Sequence, residues 1–187
     1  MIIVGLGNST KEYANTYHNA GFLLVDWLGE QYGTEWKTNK KVHATVATCD
    51  ISSATGNSNI TLIKPTGYMN TSGQSVKEIL KYFKLNPDDL LVVHDDSDIE
   101  LGNYKIVFGR GSAGHHGVQS IIDALRTKDF RRLRIGVRTR ISRSQLLNSK
   151  RIQAGDFVLK KISAADKKIL QRVFENILPN LNRSITL

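Results

Sequence analysis

A chain of 187 residues with 40% apolar and 23% charged residues is expected to form one domain, spanning residues 1–187, around a hydrophobic core of its own. It has no apolar run near the roughly 18 residues of a membrane span and no internal repeat, and its one cysteine, Cys49, excludes an internal disulfide and a thiolate metal site. The net charge of +9 is lopsided: ten Lys/Arg stand against thirteen Asp/Glu up to Leu125, and sixteen against four from Arg126 onward.

A basic second half is the electrostatic footprint of a protein that meets a polyanion, nucleic acid first and an acidic membrane second. The plainer reading is a solvated basic surface. Met1 leads directly into an apolar run with no signal sequence, so a cytoplasmic location is expected.

The run Met1–Val4, ending at a glycine, reads as a buried strand. The chain leaves it through Gly5-Leu6-Gly7-Asn8 and crosses a polar loop to His18. A helix is predicted from near Phe22 to Gly33, carrying Leu24, Val25, Trp27 and Leu28. Asn8 thus falls just past a strand end and His18 just before a helix, the edge at which α/β sheets bind ligands. Lys37–Lys41 reads as a polar connection. Val42–Cys49 and Ile60–Ile63 read as a hairpin around a turn at Ser52–Asn59, rich in Ser, Gly and Asn. Val42, Ala44 and Val46 share one face, and the apolar Ala47 spoils the alternation of the other.

Lys64-Pro65 breaks the second strand of that hairpin, and the loop T-G-Y-M-N-T-S-G follows. The next helix has Val76, Ile79, Leu80 and Phe83 at helical spacing, with Thr71 or Ser72 as its cap. Leu90–Val93 reads as a buried central strand running out into a loop, H-D-D-S-D-I-E. Tyr104–Phe108 is a further strand. The segment G-R-G-S-A-G-H-H-G leads to a helix with Val118, Ile121, Ile122 and Leu125 inward, and Phe130–Val137 is the last strand. Arg138–Gln153 reads as a basic loop. Ser163 caps a final helix with Asp166 as capping-box partner, and Pro179 ends or kinks it. Alternating strands and helices with one hairpin predict an α/β fold with a mixed, twisted sheet.

Four loops carry residues able to do chemistry: Asn8 with His18, Met69 with Asn70, Asp95 with its acidic neighbours, and His115-His116. A histidine beside a carboxylate is the arrangement of a general base, and a carboxamide can orient water or donate to an oxyanion. Each has a plainer reading. Asn8 can be a turn residue, His18 a helix cap, and Met69 core filling. Asp95, Asp96, Asp98 and Glu100 can be turn formers or ligands of a divalent metal, as in a metal-dependent nuclease. The glycine-rich segment can be a phosphate nest, although it lacks the Lys-Ser/Thr of a P-loop. No serine or cysteine nucleophile stands out, so a histidine-activated water is the simpler hydrolytic scheme.

Four motifs, in order, resemble those of bacterial-type peptidyl-tRNA hydrolases: G-L-G-N-S-T-K-E-Y-A-N-T-Y-H-N-A-G-F, K-P-T-G-Y-M-N-T-S-G-Q-S-V, V-V-H-D-D-S-D-I-E-L-G, and G-S-A-G-H-H-G-V-Q-S-I followed by F-R-R-L-R-I-G-V. The resemblance implies a three-layer, phosphorylase/hydrolase-like fold. It implies metal- and cofactor-independent hydrolysis of the ester between a peptide and the 3′ ribose of tRNA. It assigns His18 as the base, Asp95 as its partner and Asn8 as the group that positions water or ester. Tyr13, Met69, Asn70 and His116 would contact substrate, and Lys105 and Arg134 would grip the tRNA acceptor end. It further implies a monomer with no membrane partner. The chain departs from the pattern at Ser9-Thr10, where the family has Pro-Gly. Further departures are Tyr17 for an Arg, Gly67 for a Thr, Ser97 for a Leu, Glu100 for an apolar or Pro position, and Arg138-Thr139-Arg140 for Gly-Arg-Pro. His116 stands where the family has a substrate-binding Asn. The alternative it leaves is a relative that binds tRNA or other RNA with impaired catalysis.

Overall fold

The computed structural model describes residues 1–53, 56–139 and 157–185. Seven strands, β1 (Ile2–Gly5), β2 (Lys37–Asn39), β3 (Ala44–Ser53), β4 (Gly56–Pro65), β5 (Leu90–Glu100), β6 (Tyr104–Phe108) and β7 (Arg131–Arg138), form one sheet among the described residues. Its order is β2-β3-β4-β1-β5-β7-β6. The central strands β4, β1, β5 and β7 are parallel, whereas β2, β3 and β6 are antiparallel to their neighbours. The sheet is therefore mixed, and the carboxyl ends of its four parallel strands share one edge.

Helices α1 (Ala20–Gln31) and α4 (Ala164–Ile185) supply Leu24, Val25, Leu28, Leu170, Val173, Phe174 and Ile177 to one core, against Ile3, Leu91, Val93, Leu133, Ile135 and Val137 of the sheet. Helices α2 (Ser72–Phe83) and α3 (His116–Leu125) cover the other face, with Val76, Ile79, Val118 and Ile121 against Ile2, Val4, Ile63 and Val92. Burial on both faces explains why Ile2–Val4 and Leu90–Val93 are continuous apolar runs. It also explains the imperfect alternation after Val42. Val42, Ala44 and Val46 belong to the α2/α3 core, while Ala47 and Cys49 belong to the α1/α4 core.

Several local expectations are corrected. Strand β5 does not end at Val93 but runs to Glu100, with a register irregularity between Asp96 and Glu100, because β7 pairs with it past Asp95. Lys37–Asn39 forms an edge strand on β3 instead of a free connection. The hairpin strands extend through Ser53 and from Gly56, well into the predicted turn; the remainder of that turn lies outside the described residues. Neither Thr71 nor Ser72 caps α2. The Thr71 hydroxyl donates to the Tyr68 carbonyl, and the Gly73 N–H donates instead to the Ser120 hydroxyl of α3. Ser163 does cap α4, accepting from the Asp166 N–H at 3.1 Å, but the Asp166 carboxylate is taken by Tyr17. Helix α4 continues through Pro179 to Ile185. The basic loop lies outside the described residues from position 140 onward.

One close approach brings the first loop onto the sheet edge. A Cβ on Gly21 would lie 2.3 Å from the Val93 carbonyl oxygen, and one on Gly5 would lie 2.4 Å from the Gly21 carbonyl oxygen. With glycine at both positions, the start of α1 seats directly on the end of β1 and on Val93 within β5. This sets the residues just before α1 beside those just after Val93.

Candidate active site

His18 sits in a single 3-10 turn, Tyr17–Asn19, that runs into α1. The Asn19 side chain brackets residue 8: its Oδ1 accepts from the Asn8 N–H at 2.8 Å, and its Nδ2 donates to the Asn8 carbonyl at 3.0 Å. The Asn8 side chain, itself buried, accepts from the Met69 N–H through Oδ1 at 2.8 Å. One amide thus ties the first loop to the second and keeps its Nδ2 as the donating end. Asn19 was not singled out from the sequence, since its role depends on a partner eleven residues away.

Asp95 is buried on β5, and two imidazoles converge on its Oδ1: His18 Nδ1 at 2.8 Å and His115 Nε2 at 3.0 Å. His115 comes from the glycine-rich segment and caps α3, its Nδ1 accepting from the Val118 N–H at 3.2 Å. That bond makes Nδ1 the unprotonated nitrogen of His115, so Nε2 carries the proton given to Asp95. By the same logic His18 donates from Nδ1 and keeps the lone pair on Nε2. Burial alone would raise the Asp95 carboxyl. His115, through its charge whenever the ring is protonated and through its hydrogen bond, and the pairing with His18 outweigh burial and hold that carboxyl well below the usual range.

His94, also on β5, is wholly buried beneath this group. Its Nδ1 lies 2.7 Å from the Asp95 carbonyl oxygen, and its ring meets His115 edge-on at 4.6 Å. Burial first, and then the neighbouring His115, push His94 well below the ordinary imidazole value, so it stays neutral and donates to the Asp95 backbone. His18 and His115 rings are 5.0 Å apart. Among the described residues, His18, Asp95 and His115 form the one grouping dense enough to hold a metal ion, with ligand atoms within 4.8 Å of one another. Those atoms are spent on hydrogen bonds to each other.

A cavity of about 390 Å³ opens over this group, lined by His18, Asp95, Ser112, His116, Val158 and Leu159 among others. His116, exposed at the start of α3, therefore reaches the same space as His18. Asn8 and Met69 join the first two loops through the Met69 N–H bond, and neither lines the cavity. Met69 is 5% exposed and packs in the α2/α3 core so closely that a Cβ on Gly117 would come 2.4 Å from its sulfur. Asn70 is exposed and Tyr13 half-buried, and neither lines the cavity.

Asp96 follows Asp95 on β5 and also lines the cavity, but its carboxylate has a different partner. It accepts from Arg134 Nε at 2.6 Å and from the Asp98 N–H at 2.9 Å. Lys105 is the register partner of Arg134 across β6 and β7, so two cations stand side by side at that edge. Arg132, also on β7, is fully buried and donates through Nη2 to the carbonyls of Arg110 at 2.8 Å and Gly111 at 2.9 Å. It bolts the glycine-rich segment to the sheet. The sequence signal was the run R-R-L-R, whose alternation sends Arg132 and Arg134 to one face. The acidic neighbours do not converge as a metal cluster: Asp95 is held by imidazoles and Asp96 by a guanidinium.

A parallel sheet covered on both faces, with a carboxylate-anchored imidazole opening on a cavity at its carboxyl edge, defines an α/β protein equipped to activate water by general-base chemistry. The family profile described as peptidyl-tRNA hydrolase matches residues 2–186. A peptidyl-tRNA hydrolase of Thermodesulfovibrio yellowstonii is 47% identical over 139 residues, covering 73% of this chain and 71% of that protein. One from Rickettsia bellii is 38% identical over 183 residues, covering 97% and 91%. The crystal structure of a peptidyl-tRNA hydrolase from Acinetobacter baumannii superposes with a TM-score of 0.78 at 33% identity, covering 93% of this chain and 82% of that one. The chain belongs to the peptidyl-tRNA hydrolase family.

Proposed function

We propose that His18, oriented by Asp95, activates the water that cleaves the ester between a peptide and the 3′ ribose of tRNA. The observation that carries this assignment is the 2.8 Å contact of His18 Nδ1 with Asp95, which leaves Nε2 as the basic nitrogen of a cavity-lining residue. His18 Nε2 takes a proton from water as the oxygen adds to the ester carbonyl carbon. The tetrahedral intermediate expels the ribose oxygen, which recovers the proton from His18. Free tRNA and a peptide acid result. Asp95 stays ionised throughout and stabilises the imidazolium. In this reading Asn8, with Nδ2 as its donating end, orients the water or the ester, and Asn70, Tyr13 and Met69 contact the peptide.

Lys105 and Arg134 supply a cationic pair for the phosphates of the tRNA acceptor stem. His116 takes the place of a substrate-binding amide, offering one donor and one acceptor on its ring. The protein acts as a monomer in the cytoplasm; no helix among the described residues is long and apolar enough to cross a membrane. A relative that binds RNA without cleaving is not favoured, because the His18–Asp95 pair is assembled. Incubation with N-acetylated aminoacyl-tRNA, with and without chelator, tests the proposal. Release of intact tRNA in both is expected. Loss of activity with chelator, or scission of the RNA chain, overturns it in favour of a metal-dependent nuclease.

A further inference from the structure

Tyr17 stands beside His18, at a position where the first motif departs from the family pattern, and the roles above leave it unused. It is 4% exposed, its ring stacks on Phe157 with centroids 5.0 Å apart, and its hydroxyl donates to Asp166 Oδ2 at 2.5 Å. The phenol is raised above its ordinary value by burial first and then by that carboxylate, so it stays a donor. Phe157 immediately precedes Val158 and Leu159, which form part of the cavity wall. Asp166 lies in the first turn of α4, fixed there by the Ser163 cap.

Each member of this contact is therefore one step from a residue that faces substrate: Tyr17 from His18, and Phe157 from Val158. The main chain on either side is also joined. The Ile162 N–H donates to the Asn15 carbonyl at 2.8 Å, Thr16 bridges Lys161, and Lys161 Nζ donates to the carbonyls of Glu12 and Ala14. These contacts hold residues 12–17 against residues 157–162 without help from the tyrosine hydroxyl. The hydroxyl adds orientation: it fixes the rotation of the turn that carries His18 relative to the wall at Val158 and Leu159.

We propose that Tyr17 is a positioning residue: anchored by Phe157 and Asp166, it sets the placement of His18 against the Val158–Leu159 wall and so against the bound ester. The proposal rests on the hydrolase reading above. A base displaced by a fraction of an ångström loses rate at the chemical step, whereas the tRNA contacts at Lys105 and Arg134 lie elsewhere on the sheet.

The test is steady-state hydrolysis of N-acetylated aminoacyl-tRNA by the wild type and by Tyr17→Phe, Asp166→Ala, Asp166→Asn and the Tyr17→Phe/Asp166→Ala double variant. Tyr17→Phe and Asp166→Ala are each expected to lower kcat by about tenfold with KM within about twofold, the signature of misplacement. The double variant should be no slower than either single one. Asp166→Asn keeps an oxygen that accepts from the phenol and should restore kcat to within about twofold of wild type, even where losing its charge at the helix start lowers Tm. Wild-type kcat in Tyr17→Phe, additive losses in the double variant, or Asp166→Asn as slow as Asp166→Ala overturns the proposal. Should the wild type itself fail to cleave, the hydrolase reading falls. Backbone amide exchange then decides the clamp by itself. Faster exchange at residues 15–19 in Tyr17→Phe and Asp166→Ala, but not in Asp166→Asn, supports it, and unchanged exchange refutes it.

Discussion

Asp95 and Asp96 are consecutive, both buried, and both line one cavity at the extended end of β5, yet strand alternation turns their carboxylates to different partners. Asp95 meets His18 from the turn before α1 and His115 from the start of α3, whereas Asp96 meets Arg134 of β7. An imidazole gains and loses a proton near neutral pH, whereas a guanidinium does not. The first carboxylate therefore belongs to a group that can pass a proton, and the second to an electrostatic staple that fixes a cation and a strand irregularity. Identical chemistry one residue apart is divided by the partner each carboxylate meets.

The sharpest way to break this comparison is to remove the imidazole proposed as the proton carrier. His18→Ala should lower kcat by about 10³-fold or more, while the dissociation constant for tRNA stays at the wild-type value in a filter-binding titration. Loss of tRNA binding in parallel would show that His18 shapes the surface instead of the chemistry. Asp95→Asn keeps the shape but removes the anion that selects the His18 tautomer, and a fall in kcat of about 10²-fold is expected. Asp96→Asn should leave kcat within about threefold and appear instead as a stability loss of about 2 kcal/mol in urea unfolding, the scale of a charge-assisted hydrogen bond. If Asp96→Asn cost as much rate as Asp95→Asn, the division of labour between the two carboxylates would be wrong.

The same pair differs in acid. Asp95 is depressed in the folded state, so its contribution to stability is complete above the ordinary carboxylate value of about 3.9 and is lost as pH falls below it toward the folded value. Thermal unfolding followed from about pH 5 to pH 2 should therefore show a steeper decline for the wild type than for Asp95→Asn. Equal slopes would mean that the carboxylate is not held down. On the Asp96 side, Arg134→Ala should weaken tRNA binding most at low salt and reduce the slope of log affinity against log salt by about one phosphate contact. A salt-independent loss would place Arg134 away from the phosphates. The smallest effect is expected at the cavity rim: His116→Asn should raise kcat/KM by about fivefold, the worth of one better-placed hydrogen bond. A drop in rate would show that the imidazole serves this chain better than an amide.

Much of the architecture was legible because the patterns were strong. Apolar runs at Ile2–Val4 and Leu90–Val93 needed burial on both faces, and the i, i+3, i+4 spacing of Val118, Ile121 and Ile122 needed a helix with one inward side. The elements missed were those whose reason is a neighbour. Lys37–Asn39 is a strand only because β3 offers it an edge, and Ser72 does not cap α2 because Ser120 of another helix reaches Gly73 first. In the site, the sequence brought forward His18, Asp95 and Asn8. It directed attention to His116, whereas the side chain bonded to Asp95 is that of His115.

The sequence by itself determined the alternation of strands and helices, the charge of the second half, and the residue types gathered at the loops, because periodicity and composition are local properties. It could not decide which side chains meet. That Asp95 faces two imidazoles while Asp96 faces Arg134 depends on the register of β5 against β7. The joining of Tyr17 to Asp166, 149 residues away, depends on α4 packing beside α1. The physical reason is the same in both cases. Pairing across the chain is set by how two layers of helices close on one sheet, and that closure satisfies burial and hydrogen bonding for the molecule as a whole.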